Sequence, residues 1–154
     1  MTRRVIHFAT PALAAAILAA GFPAVGAELA AEDRAAVFAA AGFTQRGDQY
    51  VRCDDTVTAS ATPGWIEVAD LNQDGRPEAW VRESSLFCYG NTAEAFVLLA
   101  RNGDGAWIIL LDEVGVAMPL ETQHNGWSDI EVGGPGSGPF PVYRFDGTGY
   151  VLAE

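Results

Sequence analysis

The chain has 154 residues, 49 % of them hydrophobic, and sets 20 carboxylates against nine arginines and no lysine, a formal charge of −11. That length suits one ordinary domain with a real core. So acidic a balance argues against nucleic acid as a partner, because a phosphate backbone is held by a basic face.

The chain opens with a positive Met1-Thr2-Arg3-Arg4, continues with a small apolar run from Phe8 to Ala20, and reaches Val25-Gly26-Ala27, small or aliphatic residues suited to a cleavage site. This pattern predicts a secretory signal peptide over residues 1–27. The run carries Pro11 and ends at Gly21 and Pro23, short of the roughly 20 apolar residues that a membrane span needs. No stable membrane insertion is expected once the leader is cleaved. The Arg3-Arg4 pair leaves twin-arginine and general export both open. The mature chain, residues 28–154, keeps seven arginines and all 20 carboxylates, a formal charge of −13. Such a surface serves solubility or steers cations and basic partners. The expected location is the periplasm or the exterior.

Cys53 and Cys88 are the two cysteines of the chain. In an exported protein one even pair predicts a disulfide. Neither residue sits in a Cys-x-x-Cys arrangement or beside the histidines that a zinc site would use.

In chain order, the alanine-rich stretch from Glu28 to Ala41 places Leu29, Ala36, Val37 and Ala40 on one helical face, with Glu32, Asp33 and Arg34 opposite. A short amphipathic helix stopping at Gly42 follows from that spacing. After Gly47 the texture changes to short runs of β-branched and aromatic residues: Tyr50 to Cys53, Trp65 to Val68 and Ala79 to Arg82. Ala95 to Ala100 and Ala106 to Leu111 are the most apolar runs, joined by Asn102-Gly103-Asp104-Gly105. They are expected as central, doubly covered strands around a plain turn. Trp127 to Val132 alternates apolar and polar residues, and Gly133 to Pro141 is a Gly/Pro-rich surface loop. Val142 to Phe145 and Tyr150 to Leu152 close the chain as a hairpin around Asp146-Gly147. The predicted fold class is mostly β (α+β): a short N-terminal helix, then an antiparallel meander of about six to eight strands in a single domain over 28–154.

The sharpest chemical signal is Asp70-Leu71-Asn72-Gln73-Asp74-Gly75-Arg76-Pro77-Glu78. Side-chain oxygens at positions one, three and five can converge on one hard cation. The Arg76 carbonyl at position seven and the Glu78 carboxylate at position nine complete the set, and Gly75 permits the sharp turn. The loop joins two predicted strands, and position twelve is Val81, so an EF-hand is excluded. Residues 70–81 resemble the calcium loop and outgoing strand of FG-GAP and VCBS-type repeats. The resemblance implies a bound calcium ion with Asp70, Asn72, Asp74 and Glu78 as side-chain ligands and the Arg76 carbonyl beside them. The family usually has Asp at the last position. It does not imply a propeller, which needs several such blades. The competing reading is an Asx-rich turn without an ion. In general texture the chain also resembles small exported bacterial proteins, which carries no activity with it.

His124, the one histidine of the mature chain, lies in a Gln-His-Asn-Gly turn and reads as a solvated loop residue, so no hydrolytic triad has an anchor. The Gly133-Gly134-Pro135-Gly136-Ser137-Gly138 run lacks a following helix to receive a phosphate. The function expected is that of an exported, calcium-stabilised β domain acting as a binding protein of inhibitor or immunity type, on a protein or another component of the envelope. Phe140 is its expected partner contact; the alternative is that the ring folds onto the core. A structural envelope domain and a small carboxylate-dependent enzyme are the competing functions.

Overall fold

A computed structural model of the chain describes residues 29–56, 61–136 and 138–153. The leader expected over 1–27 and Ser137 of the Gly/Pro stretch lie outside the described residues.

Helix α1, Ala31–Ala40, carries Glu32 and Asp33 in its first turn, where they oppose the positive end of the helix dipole. It stops as Gly42 predicts. Gly42 adopts φ +80°, its N–H donates to the Ala39 carbonyl, and the Phe43 N–H donates to the Phe38 carbonyl. This paired closure uses a left-handed residue just past the helix to satisfy its last carbonyls. A small ribbon of β1, Thr44–Arg46, and β2, Gln49–Val51, follows.

Two four-stranded antiparallel meanders make up the rest. The first runs β3 (Thr62–Ala69), β4 (Glu78–Ser84), β5 (Glu94–Arg101), β6 (Trp107–Val114), each beside the next. The second runs β7 (Val116–His124), β8 (Trp127–Gly133), β9 (Val142–Phe145), β10 (Tyr150–Leu152). Helix α2, Leu86–Tyr89, and a 3-10 turn, Gly90–Thr92, join β4 to β5. Gly115 carries the chain from one sheet to the other. A Cβ there would stand 2.4 Å from a Val132 methyl and 2.8 Å from the Gly133 carbonyl oxygen, so the crossing has room for no side chain.

The layers follow from the period-two alternation of β4 and β5. Ala79, Val81, Val97 and Leu99 face α1, where Val37, Phe38, Ala41 and Phe43 complete one core. Trp80, Phe96, Leu98 and Ala100 face the second sheet and meet Ala117, Ile130, Val132 and Tyr150 in the other. The first sheet is therefore covered on both faces, by the helix and by the second sheet.

The predicted class, a short helix followed by antiparallel β structure, is the one observed, with ten strands among the described residues where six to eight were expected. Two placements differ. The central pair is β4 and β5, whereas β6 is an edge strand with Ile108 and Ile109 exposed. Its register against β5 shifts between Leu98 and Leu99, a bulge that turns consecutive Leu110 and Leu111 into the interior. Strand β7 was not anticipated, since Pro119, Glu121, Thr122 and Gln123 disguise it as a loop. It too is an edge, where proline and polar side chains are tolerated.

Candidate functional site

The loop between β3 and β4 is held at both ends. Leu71 is buried in the core between the sheets. Its N–H donates to Glu78 Oε2 at 2.7 Å, and its carbonyl accepts the Ser128 N–H of β8 at 3.0 Å. Between these anchors the chain coils around its own oxygens. Asp70 Oδ1 and Asn72 Oδ1 both accept the Asp74 N–H, at 3.2 and 3.0 Å, and Asp70 Oδ2 accepts the Gly75 N–H at 3.0 Å. Gly75 at φ +82° and Gln73 at +60° supply the left-handed steps this requires.

The five predicted ligands are thus distributed unequally. Asp70, Asn72 and Asp74 wind around one exposed turn. Asp74 Oδ2 meets the Arg76 guanidinium at 2.8 Å, and that contact holds its carboxyl below the usual carboxylate range. Glu78 turns inward and is 3 % exposed. Burial lifts its pKa to about 7, helped by the negative charges of Asp70 and Asp74. Among the described residues no three His, Cys, Asp or Glu side chains converge as metal ligands. A hollow of about 40 Å³ beside the loop is lined by Asn72, Asp74, Glu78 and Trp127. The donor chemistry fits a hard cation, since each carboxylate oxygen that accepts one N–H retains a further lone pair.

Cys53 and Cys88 are joined in a disulfide, 35 residues apart in sequence. It ties the end of the small ribbon to α2. Buried Glu83 does the same by hydrogen bonding: it accepts the N–H groups of Arg52 and Cys53, each at 2.9 Å, and the Tyr89 hydroxyl at 2.6 Å. Arg52 also pairs with Asp112 through two hydrogen bonds of 2.8 and 2.7 Å. The disulfide region is therefore fastened to both β4 and β6.

A hollow of about 470 Å³ lies at one end of the sandwich, between the ends of β6, β8 and β9 and the Gly/Pro stretch. Phe140 lines it and is 41 % exposed. Its ring lies against Gly133, where a Cβ would come within 3.8 Å of it. The ring therefore rests on the strand end and keeps a free face. Glu113 and Tyr143 also line the hollow, and the Tyr143 hydroxyl donates to Glu113 Oε1 at 3.0 Å. In the sequence Glu113 is no more than the polar end of an apolar run; its position became visible only with the register of β6.

His124 is more engaged than a solvated turn residue. Its Nδ1 lies 2.7 Å from Oδ1 of Asp129, which is 1 % exposed and takes the Thr122 hydroxyl on Oδ2 at 2.7 Å. The β7–β8 register breaks between Pro119 and Gln123. Asp129 bridges that break with side-chain bonds where ladder bonds are missing, which accounts for a buried carboxylate. Arg82 has a comparable duty between the sheets, reaching Glu67, Glu94 and the Ala117 carbonyl.

In comparison with known proteins, no family model matches the chain, and no curated protein or solved structure does.

Proposed function

We propose that the protein is an exported, calcium-stabilised β domain that works by binding another protein, in the manner of an inhibitor or immunity factor. The observation that carries this reading is the hollow at the end of the sandwich, with the free face of Phe140 at its margin. A concave site with a large aromatic ring on a rigid frame is what a binding hot spot requires. The frame is stiffened by the Cys53–Cys88 bridge and the Glu83 clasp. Export is supported by the leader-like start and by the disulfide, which persists in oxidising compartments. Among the described residues no helix is long and apolar enough to cross a membrane.

Calcium enters as a structural ion. Asp70, Asn72, Asp74 and Glu78, with the Arg76 carbonyl, are the groups that would hold it, and its charge would offset three neighbouring carboxylates. Asp74 can face the ion in place of the Arg76 guanidinium. The loop would then be pinned to β8 through Leu71 and Ser128 with less internal repulsion.

The test is capture from envelope extract of the source cells by immobilised parent protein, in parallel with Phe140→Ser. The expected result is a partner bound at least about tenfold more weakly by the variant, the effect of a moderate hot spot, at unchanged melting temperature. A partner held equally by both proteins would remove this end of the sandwich as the binding surface.

A further inference from the structure

The hollow at the end of the sandwich has a distinctive chemical character. Its walls include Phe140, Tyr143, Pro135 and Val132, and among the described residues that line it Glu113 is the sole charged group. Glu113 is half-buried and accepts the Tyr143 hydroxyl on one oxygen. It has no cationic partner among the described residues. Arg46, Arg52, Arg76, Arg82, Arg101 and Arg144 all face other carboxylates, and Arg34 lies over the Phe38 ring. Among the described residues most other carboxylates are exposed to water. Glu113 instead is half-buried beside valine, proline and aromatic side chains, where an unpaired charge gains more from a counter-charge than it would in open water.

We infer that this hollow receives a cationic side chain, a lysine or arginine presented by the protein partner, with Glu113 as its counter-charge. The inference rests on the reading that this end of the sandwich docks a partner. Three features support it. A lysine or arginine brings an apolar stem that packs on proline and aromatic walls while its head reaches a carboxylate. The exposed face of Phe140 can take a guanidinium or ammonium by cation–π attraction. The strong negative charge of the chain steers basic segments toward it. Burial, with the Glu113 hydrogen bond, also holds the Tyr143 phenol above its ordinary value, consistent with partial desolvation beside Glu113.

Nuclear magnetic resonance titration of the chain with three probes at physiological ionic strength tests this: the Nα-acetyl amides of lysine, arginine and norleucine. The two cationic probes should shift the amide signals of Val114, Gly133 and Gly134 at concentrations at least about tenfold lower than norleucine, the discrimination expected of a charge-assisted contact. Glu113→Gln should erase that difference, because its amide oxygen still accepts the Tyr143 hydroxyl while the charge is gone. Norleucine acting as strongly as lysine, or a lysine response that survives Glu113→Gln, overturns the inference. The envelope partner separates the two readings. A partner lost with Phe140→Ser but held fully by Glu113→Gln overturns the cationic inference alone, and one indifferent to both substitutions overturns both.

Discussion

Glu83→Ala should be among the most damaging single substitutions in this chain, although Glu83 is a member of neither hydrophobic core. One carboxylate, 3 % exposed, serves three donors: the N–H groups of Arg52 and Cys53 and the hydroxyl of Tyr89. Truncation strands all three at once. A buried donor left unpaired costs about 1–3 kcal/mol. The contacts are part-buried and water regains some of them, so a total of about 3–5 kcal/mol is expected, a large share of an ordinary domain's stability. Glu83→Gln keeps an acceptor oxygen but turns an amide N–H toward a donor, and should lose about half as much. Urea denaturation of the oxidised protein, with the slope checked against the parent, gives the number. A double-mutant cycle with Tyr89→Phe isolates the phenol's share. Burial, reinforced by the Glu83 bond, holds that phenol above the usual tyrosine range, so its ultraviolet titration should move down in Glu83→Ala. Stability within about 1 kcal/mol of the parent would refute the reasoning, since even one stranded donor costs that much.

Glu78 makes stability depend on pH. With chelator present its folded pKa of about 7 stands above the ordinary 4.5, so the folded state binds the proton more tightly. Its contribution is complete below pH 4.5 and is lost as pH rises toward 7, by about 3 kcal/mol in total. Glu78→Gln should flatten that slope in denaturation curves; an unchanged slope counts against a buried Glu78. Millimolar calcium should raise the melting temperature at neutral pH, and Asp74→Ala should abolish most of the rise by deleting a central ligand. Identical melting curves in chelator and calcium favour the dry Asx turn. Replacing Cys53 and Cys88 together by serine should cost up to about 4 kcal/mol, the chain-entropy expectation for a loop of this length. Denaturation of the double variant measures it, and a loss near zero would show that the Glu83 clasp alone orders the region.

Local chemistry was legible in the sequence and long-range chemistry was not. The turns at Asp74-Gly75, Asp104-Gly105 and Asp146-Gly147 were readable because each side chain bonds within a few residues: Asn102 accepts the Asp104 and Ala106 N–H groups, and Asp146 accepts those of Thr148 and Gly149. The Gly42 helix stop was readable for the same reason. The apolar run of β6 showed that its residues favour burial but not which strand would lie beyond it, so an edge passed for a centre. Glu83, Glu113 and Asp129 were missed as individuals. The two backbone donors of Glu83 and the phenol that meets Glu113 lie about thirty residues away; for Asp129 the partners lie across a register break that spacing does not reveal. In the Asp70 loop the alternating oxygens were visible, but the inward turn of Glu78 toward Leu71 depends on where β4 begins.

Strands β4 and β5 form the wall shared by both hydrophobic layers, with one set of side chains serving the helix and the alternate set serving the second sheet. Neither layer can detach without uncovering one side of that wall, so opening of the helix or of the β7–β10 meander leaves half of it wet. Amide hydrogen exchange should therefore be slowest at Val81, Val97, Leu98 and Leu99, converging on the rate of global opening, and fastest at the free edges β6 and β10. A molecule built in this way has one innermost timescale instead of two, and anything that fastens either outer layer slows exchange in the same pair of strands.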